Sequence, residues 1–536
     1  MLNKAIEDSL GIACVRGLKS RQFQIMITDA FQQRSLSGGM ILAVSWCLAK
    51  WLKQYVHDSR IGIVLPPGIG ATVTNLACVL ADKVPVNFNF TMGRKANELC
   101  MELSEITTVI STDIMIKKAK DFPWPEKKNL IDVKTQLLKI GKIKIFLQRF
   151  MVFVQSSQQI VKSLNLSEKG GSREGGVLFT SGSSGNPKGV VLTHRNIVAN
   201  VYQVQEIFPR ELASSIMGCL PIFHSFGFTV TLFWPLICGP RVITYISPLD
   251  SSKIIAAVEK YEVELLVSTP TFLRSYTRKG KLEQLKSLRL VVVGAEKLPR
   301  QVMEDFENKM KIPVCEGYGM TETSPVISAN RPNTKTPKID IGKDSQYRRI
   351  GSTGQVLPEI EVKVTHPETN EQINPTETGL LWFKGPNVFE GYLKNEKKSK
   401  EVLKNGWYCS GDLGYVDKDG FLYIEGRLSR FSKIGGEMVP HGTVEQKLSK
   451  IFTEILSEDA HVVVMGIRDD VKGEILIGLT TKSVPKTDWQ KLFKQQGLPN
   501  LWMPKEIFEI SEIPQLASGK LDLKGCQEMV ENFALT

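Results

Sequence analysis

Residues 178–194 read LFTSGSSGNPKGVVLTH: two apolar runs enclosing a Gly/Ser loop that ends in one lysine. Gly182 and Gly185 relax the backbone, so that N–H groups can converge on an anion. Thr180, Ser181, Ser183 and Ser184 add hydroxyl donors, and Lys188 adds a positive charge. Together these groups suit a phosphate. A P-loop has the form G-x-x-x-x-G-K-[ST]. Counted from Gly182, Lys188 falls in register, but Pro187 replaces the second glycine and Gly189 replaces the magnesium-binding hydroxyl. The P-loop form therefore fails at two of its four fixed positions, and the alternatives are a phosphate cradle of another kind or a flexible surface turn, which the full string argues against.

Further residues with chemical potential follow at intervals. LPIFHSFG (220–227) sets His224 in an apolar run, where a lone histidine is more often a core residue than a ligand. Phe223, Phe226, Phe228 and Trp234 surround it and could wall an apolar pocket or simply pack. VVGAEKLP (292–299) ends a strand in a turn at Gly294, Ala295 and Glu296. EGYGMTETSP (316–325) combines Glu316, Gly317, Tyr318, Gly319, Thr321 and Glu322, and GWYCSGDLG (406–414) carries Asp412. GRLSRFSKIGGEMV (426–439) carries Arg427 and Arg430, and PQLASGKLDLK (514–524) carries Lys520.

The elements that must position these residues alternate in the α/β manner. IGIVL (61–65) reads as a buried strand, followed by a helix over 71–81. LLVS (265–268) and LVVV (290–293) are two more strands. From about residue 351 the segments IEVKVT, GLLWFKG and GFLYIEG alternate and end in Gly, Asn or Asp, as antiparallel strands do. Beyond Arg430, strands (AHVVVMGI, EILIGLT) mix with helices over 444–455 and 488–496. The expected architecture is a large α/β domain over 1–427, made of two sheet subdomains and a β-rich part at about 351–427. A small α+β domain over 428–536 follows.

In this order the motifs resemble those of the adenylate-forming enzymes: acyl- and aryl-CoA ligases, luciferases and peptide-synthetase adenylation domains. The resemblance covers residue 178 to the end. It implies ATP and Mg²⁺. The loop 180–185 with Lys188 would hold pyrophosphate, and Gly294, Ala295, Glu296, Glu316, Gly317 and Gly319 would wall the nucleotide. Tyr318 would stack on adenine, Thr321 would reach phosphate, and Glu322 would bind Mg²⁺. Asp412 would accept the ribose hydroxyls, with Arg427 beside them. His224 would sit at the carboxylate-substrate position, and Lys520 would be the catalytic lysine on a small domain that rotates near Arg430. Many relatives have Asp or Lys where this chain has Arg430.

Amino-acid-activating members carry an acidic residue near 220–227. None stands here, which implies a plain carboxylic acid with an apolar body. FSKIGGEMVP, VEQKL and the end of the chain resemble the bacterial acyl-[acyl-carrier-protein] synthetases, including the synthetase half of the bifunctional acylglycerophosphoethanolamine acyltransferase. The acyltransferase half is expected to be absent. The implied reaction joins a long-chain fatty acid to the phosphopantetheine thiol of holo-acyl carrier protein, serving phospholipid synthesis. A fatty acyl-CoA ligase is the competing expectation, and a non-catalytic acyl- or nucleotide-binding module the second.

Bulk properties narrow the field. The 536 residues carry a net charge of +12. From Arg430 onward there are 13 basic and 15 acidic residues, so the excess lies in the large domain. Residues 117–149 alone hold 10 basic and 3 acidic residues, a stretch suited to an acidic protein or anionic lipid. No zinc finger, RNA-recognition signature or basic helix-turn-helix points to nucleic acid. The nine cysteines form no CxxC pair, and the six histidines have no metal-ligand spacing. Residues 216–240 carry no formal charge, but Pro221, Pro235, His224 and three glycines break them. They read as a buried strand-loop-helix beside a pocket, not a transmembrane segment. No signal peptide is evident. A cytoplasmic protein, with peripheral contact at the cytoplasmic membrane face, is expected.

Overall fold

Two large sheets share one core. The computed structural model describes residues 7–167, 170–181, 186–332, 341–458, 460–469, 472–495, 498–514 and 521–535. The first sheet has seven strands in the order Gly391–Tyr392, Pro187–Thr193, Glu174–Ser181, Val84–Asn87, Arg60–Ile63, Val109–Ser111, Leu130–Asp132. The second has nine: Gln355–Val356, Val326–Ala329, Val314–Gly319, Leu290–Val293, Leu265–Ser268, Ser215–Gly218, Arg241–Thr244, Ile25–Asp29, Arg34–Ser37. The central strands of both are parallel. Parallel strands are covered on both faces, which is why VVVG and IGIV read as unbroken apolar runs.

Helices Leu10–Ser20, Gly38–Tyr55, Ile69–Leu80 and His194–Ile207 contribute to the largest core cluster. Ile69–Leu80 is apolar nearly all round, and ten of its twelve residues are buried, as a helix packed between layers requires. Its Asn75 is also buried and exchanges hydrogen bonds with Asn87 at 2.7 and 3.2 Å, so both amides are served.

The expected strands at 61–65, 265–268 and 290–293 appear as Arg60–Ile63, Leu265–Ser268 and Leu290–Val293. The three alternating segments form a five-stranded antiparallel sheet, with Glu361–Thr365, Gly379–Lys384 and Leu422–Arg427 around the long strand Trp407–Val416. A fourth sheet begins at Phe431–Ile434 and includes Val462–Asp469 and Gly473–Thr480, with helices His441–Leu456 and Lys486–Gln495. The expected fold class therefore holds: a large α/β part with a β-rich portion, then a smaller C-terminal α+β part. Residues 216–240 form the strand Ser215–Gly218, a π-helical stretch Gly227–Phe233 and a short helix Trp234–Ile237, nearly all buried. No helix among the described residues is long and apolar enough to cross a membrane.

One ion pair sits wholly inside. Arg348 and Glu307 side chains are each 2% exposed and in contact, and Glu307 also accepts the Val314 and Gly342 backbone N–H groups. That pair fixes the start of the strand leading to Glu316. Removing one partner of a buried pair strands the other charge, at a cost of roughly 3–5 kcal/mol. Arg348→Met should lower unfolding stability by about that amount in urea denaturation. Adding Glu307→Gln should recover part of the loss, because the stranded charge is then gone.

Candidate active site

Strands Glu174–Ser181 and Pro187–Thr193 pair antiparallel, with Thr180 opposite Lys188 and Ser181 opposite Pro187. Gly182, Ser183, Ser184 and Gly185, which come between them in the chain, lie outside the described residues, as does Lys520. Lys188 therefore projects from a strand, not from the loop. Its ammonium lies 5.7 Å from the Tyr392 ring centroid. Burial lowers its pKa, Lys398 lowers it further, and Glu322 opposes the shift.

Glu322 stands on the single turn Thr321–Thr323. The Tyr392 hydroxyl donates to Glu322 Oε1 at 2.8 Å, and Phe389 N–H donates to the Glu322 carbonyl at 2.8 Å. Tyr392 thus touches both charged groups, yet no sequence pattern marked it. It sits 70 residues from Glu322 on a two-residue strand pairing with Val190 and Val191. The Thr321 and Ser225 hydroxyls lie 3.3 Å apart, which brings the second and fourth motifs together. His224, next to Ser225, is exposed, with its ring 4.8 Å from that of Phe223.

Asp412 lies on the strand Trp407–Val416 and is 3% exposed. Arg427 Nε pairs with its Oδ1 at 2.7 Å, and the Tyr318 hydroxyl bonds its Oδ2. Burial raises the Asp412 pKa against the pull of Arg427 and Tyr318, and burial beside Asp412 raises that of Tyr318 well above the phenol range. Gly319 is obligatory where the chain turns back, since a Cβ there would lie 2.0 Å from the Pro325 carbonyl oxygen.

Glu316 and Glu296 each have a partner within the protein. Glu316 Oε1 accepts the Leu298 N–H at 3.0 Å and so ties the third motif to the fourth. Burial raises its pKa to about 7. Glu296 is exposed and accepts the Thr271 hydroxyl at 2.9 Å. Gly294, Ala295, Gly317, Tyr318 and Gly319 do wall a cavity of about 90 Å³. It continues past Ser225 and Phe226 to Val230, Trp234 and Phe208, and none of the described residues that line it is charged. Trp234 reaches it while its Nε1–H donates to Gln205 at 2.8 Å. Phe223 packs instead on Phe90 and Phe228 on Phe233.

Arg430 anchors within the C-terminal part: Nη1 donates to the Val464 carbonyl at 2.9 Å and Nη2 contacts Glu445. Lys433 contacts Glu368, which belongs to the β-rich part.

A buried carboxylate at Asp412, an apolar cavity beside a Tyr/Gly wall, and Lys188 near Glu322 together suit an acyl-adenylate. The AMP-binding enzyme family matches residues 22–393. The chain belongs to that family. It is 31% identical to luciferin 4-monooxygenase of Photuris pensylvanica over 369 residues, 66% of this chain and 64% of that protein. It is 28% identical to the long-chain-fatty-acid–CoA ligase of Bacillus subtilis (strain 168), covering 94% of each. In fold it is similar to the O-succinylbenzoate coenzyme A synthetase of Bacillus subtilis solved with AMP, with a TM-score of 0.76 at 23% identity over 96% of this chain and 97% of that one. The same synthetase has been solved with ATP and magnesium ion. The chain is thus an adenylate-forming enzyme of the acid–thiol ligase kind, a class that uses ATP with Mg²⁺.

Among the described residues, no cluster of three or more His, Cys, Asp or Glu would hold a metal unaided. Glu322 fits an ion whose other ligands are phosphate oxygens and water: Tyr392 steadies Oε1, and Oε2 accepts from no described residue. Tyr392 is then a positioning residue. Tyr392→Phe should raise the half-saturating Mg²⁺ concentration and lower kcat about tenfold, with an unchanged melting temperature; pyrophosphate release titrated with Mg²⁺ checks this.

Glu316 supplies a second expectation. A carboxyl raised from 4.5 to about 7 in the folded state gives stability that is present below 4.5 and lost as pH rises toward 7. In Glu316→Gln, which keeps the acceptor for Leu298, the melting temperature should depend less on pH across that window.

Proposed function

We propose that this enzyme activates a long-chain fatty acid with ATP and passes the acyl group to the phosphopantetheine thiol of acyl carrier protein. The observation that carries the acid is the uncharged, apolar cavity that starts at the Tyr318/Gly317 wall and ends against Trp234 and Phe208. Its described lining offers no charged partner to an amine or a second carboxylate. Its volume of about 90 Å³ is small beside the ~300–1,000 Å³ of most ligand sites, so a long chain enters only if side chains at its end swing away. The similarity to a long-chain-fatty-acid–CoA ligase over 94% of both chains supports the same substrate class.

The first half-reaction forms a bond between a carboxylate oxygen and the α-phosphorus of ATP and breaks the bond to pyrophosphate. Asp412 would hold the ribose hydroxyls, which requires the Tyr318 hydroxyl and Arg427 to share or yield its oxygens. Lys188 and the hairpin would neutralise the departing pyrophosphate. Mg²⁺ held by Glu322 and the phosphates would offset charge on the same oxygens. Lys520 would align carboxylate and phosphate. His224 would stand at the mouth on the carboxylate side. In the second half-reaction the thiol sulfur bonds the acyl carbon and AMP leaves. The boundary at 427/428, and rotation there that exchanges Lys520 for the Ser432–Met438 face, belong to this proposal.

Carrier protein as acceptor rests on the local resemblance of residues 431–448 and 497–523 and on the basic charge of the large part, which suits an acidic partner. Coenzyme A is the second reading, favoured by the similarity to the Bacillus ligase. The deciding assay supplies ATP, Mg²⁺ and labelled palmitate with either holo-acyl carrier protein or CoA. Thioester on carrier protein at a kcat/KM at least ~10-fold above that on CoA, a margin of about 1.4 kcal/mol, is expected. Thioester on CoA alone overturns the acceptor and keeps the adenylation. No pyrophosphate release with any fatty acid overturns both.

A further inference from the structure

The helix Lys142–Val154 (KIKIFLQRFMVFV) is mounted the wrong way round for a water-soluble surface. Its buried side is partly polar. Gln148 and Val152 are its buried residues, and the Lys50 ammonium donates to Gln148 at 3.2 Å. Arg149 lies flat against Gly39, where a Cβ would come within 2.7 Å of its guanidinium carbon, and donates to the Gln22 carbonyl at 3.2 Å. Lys19 closes the C-terminal end, donating to the carbonyls of Val152 and Phe153 at 2.7 and 3.0 Å. These bonds hold the helix in one orientation on Gly38–Tyr55.

The outward side is apolar. Ile143, Phe146, Leu147, Phe150, Phe153 and Val154 are 78, 72, 57, 56, 51 and 52% exposed. Their spacing of i, i+3, i+4, i+7, i+10 and i+11 makes one continuous stripe. Phe23, 70% exposed, extends it with an edge-on contact to Phe153 at 6.0 Å. Soluble monomers rarely leave so large an apolar patch in water. The chain that carries the stripe is of one sign. Residues 133–167 hold six basic residues and no acidic one. Lys142 and Lys144 are exposed on opposite flanks of the stripe.

We infer that this face docks on an anionic lipid bilayer, with the aromatic stripe in the headgroup–acyl boundary and the flanking lysines on the lipid phosphates. A bilayer supplies both halves of the complement, hydrocarbon under the stripe and negative charge beside it. A second copy would set like charges against each other across the stripe. An acidic carrier protein would answer the lysines but leave a stripe of exposed phenylalanines to be covered by an equally apolar surface of its own.

The test uses the full chain and sedimentation with vesicles, and reads binding rather than turnover, so it is independent of the ligase reading. Vesicles of phosphatidylcholine with phosphatidylglycerol should bind the protein at low salt, at least ~10-fold more tightly than phosphatidylcholine alone. Phe146→Glu with Phe150→Glu should lose ~10-fold or more in affinity, with an unchanged melting temperature and unchanged pyrophosphate release on a short soluble acid. Lys142→Glu with Lys144→Glu should lose affinity for the anionic vesicles only. Absence of wild-type binding at low salt overturns the inference, as does equal binding to both lipids or full binding by the Phe pair. A lipid-free dimer that the Phe pair converts to monomer reassigns the face to self-association. A raised KM for holo-carrier protein in the Phe pair, without loss of vesicle binding, reassigns it to that partner.

Discussion

A carboxylate that is 3% exposed must be matched by donors, and Asp412 draws them from two sheets. Arg427 comes from the neighbouring strand of its own antiparallel sheet, directly opposite in register. Tyr318 comes from the parallel nine-stranded sheet, 94 residues earlier. This charge therefore pins the β-rich part to the edge where the parallel strands end. The site depends on that junction, because Tyr318, which walls the cavity beside Gly319, is bonded to Asp412. The same two groups that satisfy Asp412 without a ligand are those a ribose would have to share it with.

The other links across the site follow the same logic. The Asn387 side chain donates to the Thr323 carbonyl at 2.7 Å, and its backbone carbonyl accepts the Ser324 hydroxyl at 2.9 Å. Asn200 accepts the Val326 N–H and donates to the Val326 carbonyl. Each is a fully buried amide serving backbone of the 320–326 turn. Glu322 is thus carried on a turn that is held from two directions, and Tyr392 fixes its carboxylate from a third. Rigid support of this kind suits the role proposed for Glu322 toward Mg²⁺, because small misplacements are costly.

How much of this was readable from the chain depends on the range of the interaction. Strand 290–293 was legible to the residue, because a fully buried parallel strand needs an unbroken apolar run and a Gly to stop it. The Gly317–Tyr318–Gly319 wall was legible because close backbone approach admits only glycine, as the contact between Gly319 and Pro325 shows. Tyr392 was not: its significance arises only when strand Gly391–Tyr392 adds to the edge of the seven-stranded sheet. The bond from the Leu298 N–H to Glu316 was not legible either, since a carboxylate facing a ligand and one holding a backbone N–H look alike in sequence. Nor could the sequence show that Ile25–Asp29 and Arg34–Ser37 cross over to the nine-stranded sheet, a pairing made 200 residues away.

Arg430 shows what a departure from a family pattern can mean. Its guanidinium is spent on the Val464 carbonyl and Glu445, groups that belong to the C-terminal sheet and its first helix. Burying a bidentate donor there ties the segment after Arg427 to the C-terminal part. The residues on the other side, Leu428, Phe431 and Met438, pack on Leu380, Trp382 and Leu413 of the antiparallel sheet. The connection is thus polar and directional toward one unit, apolar and non-directional toward the other. Apolar contacts can slide and re-form on a new surface, whereas a partly buried ion pair backed by a carbonyl contact is lost when its partners separate. If the two parts move relative to each other, the contacts that give way should be those of Leu428, Phe431 and Met438, while Arg430 travels with the sheet it is bonded to.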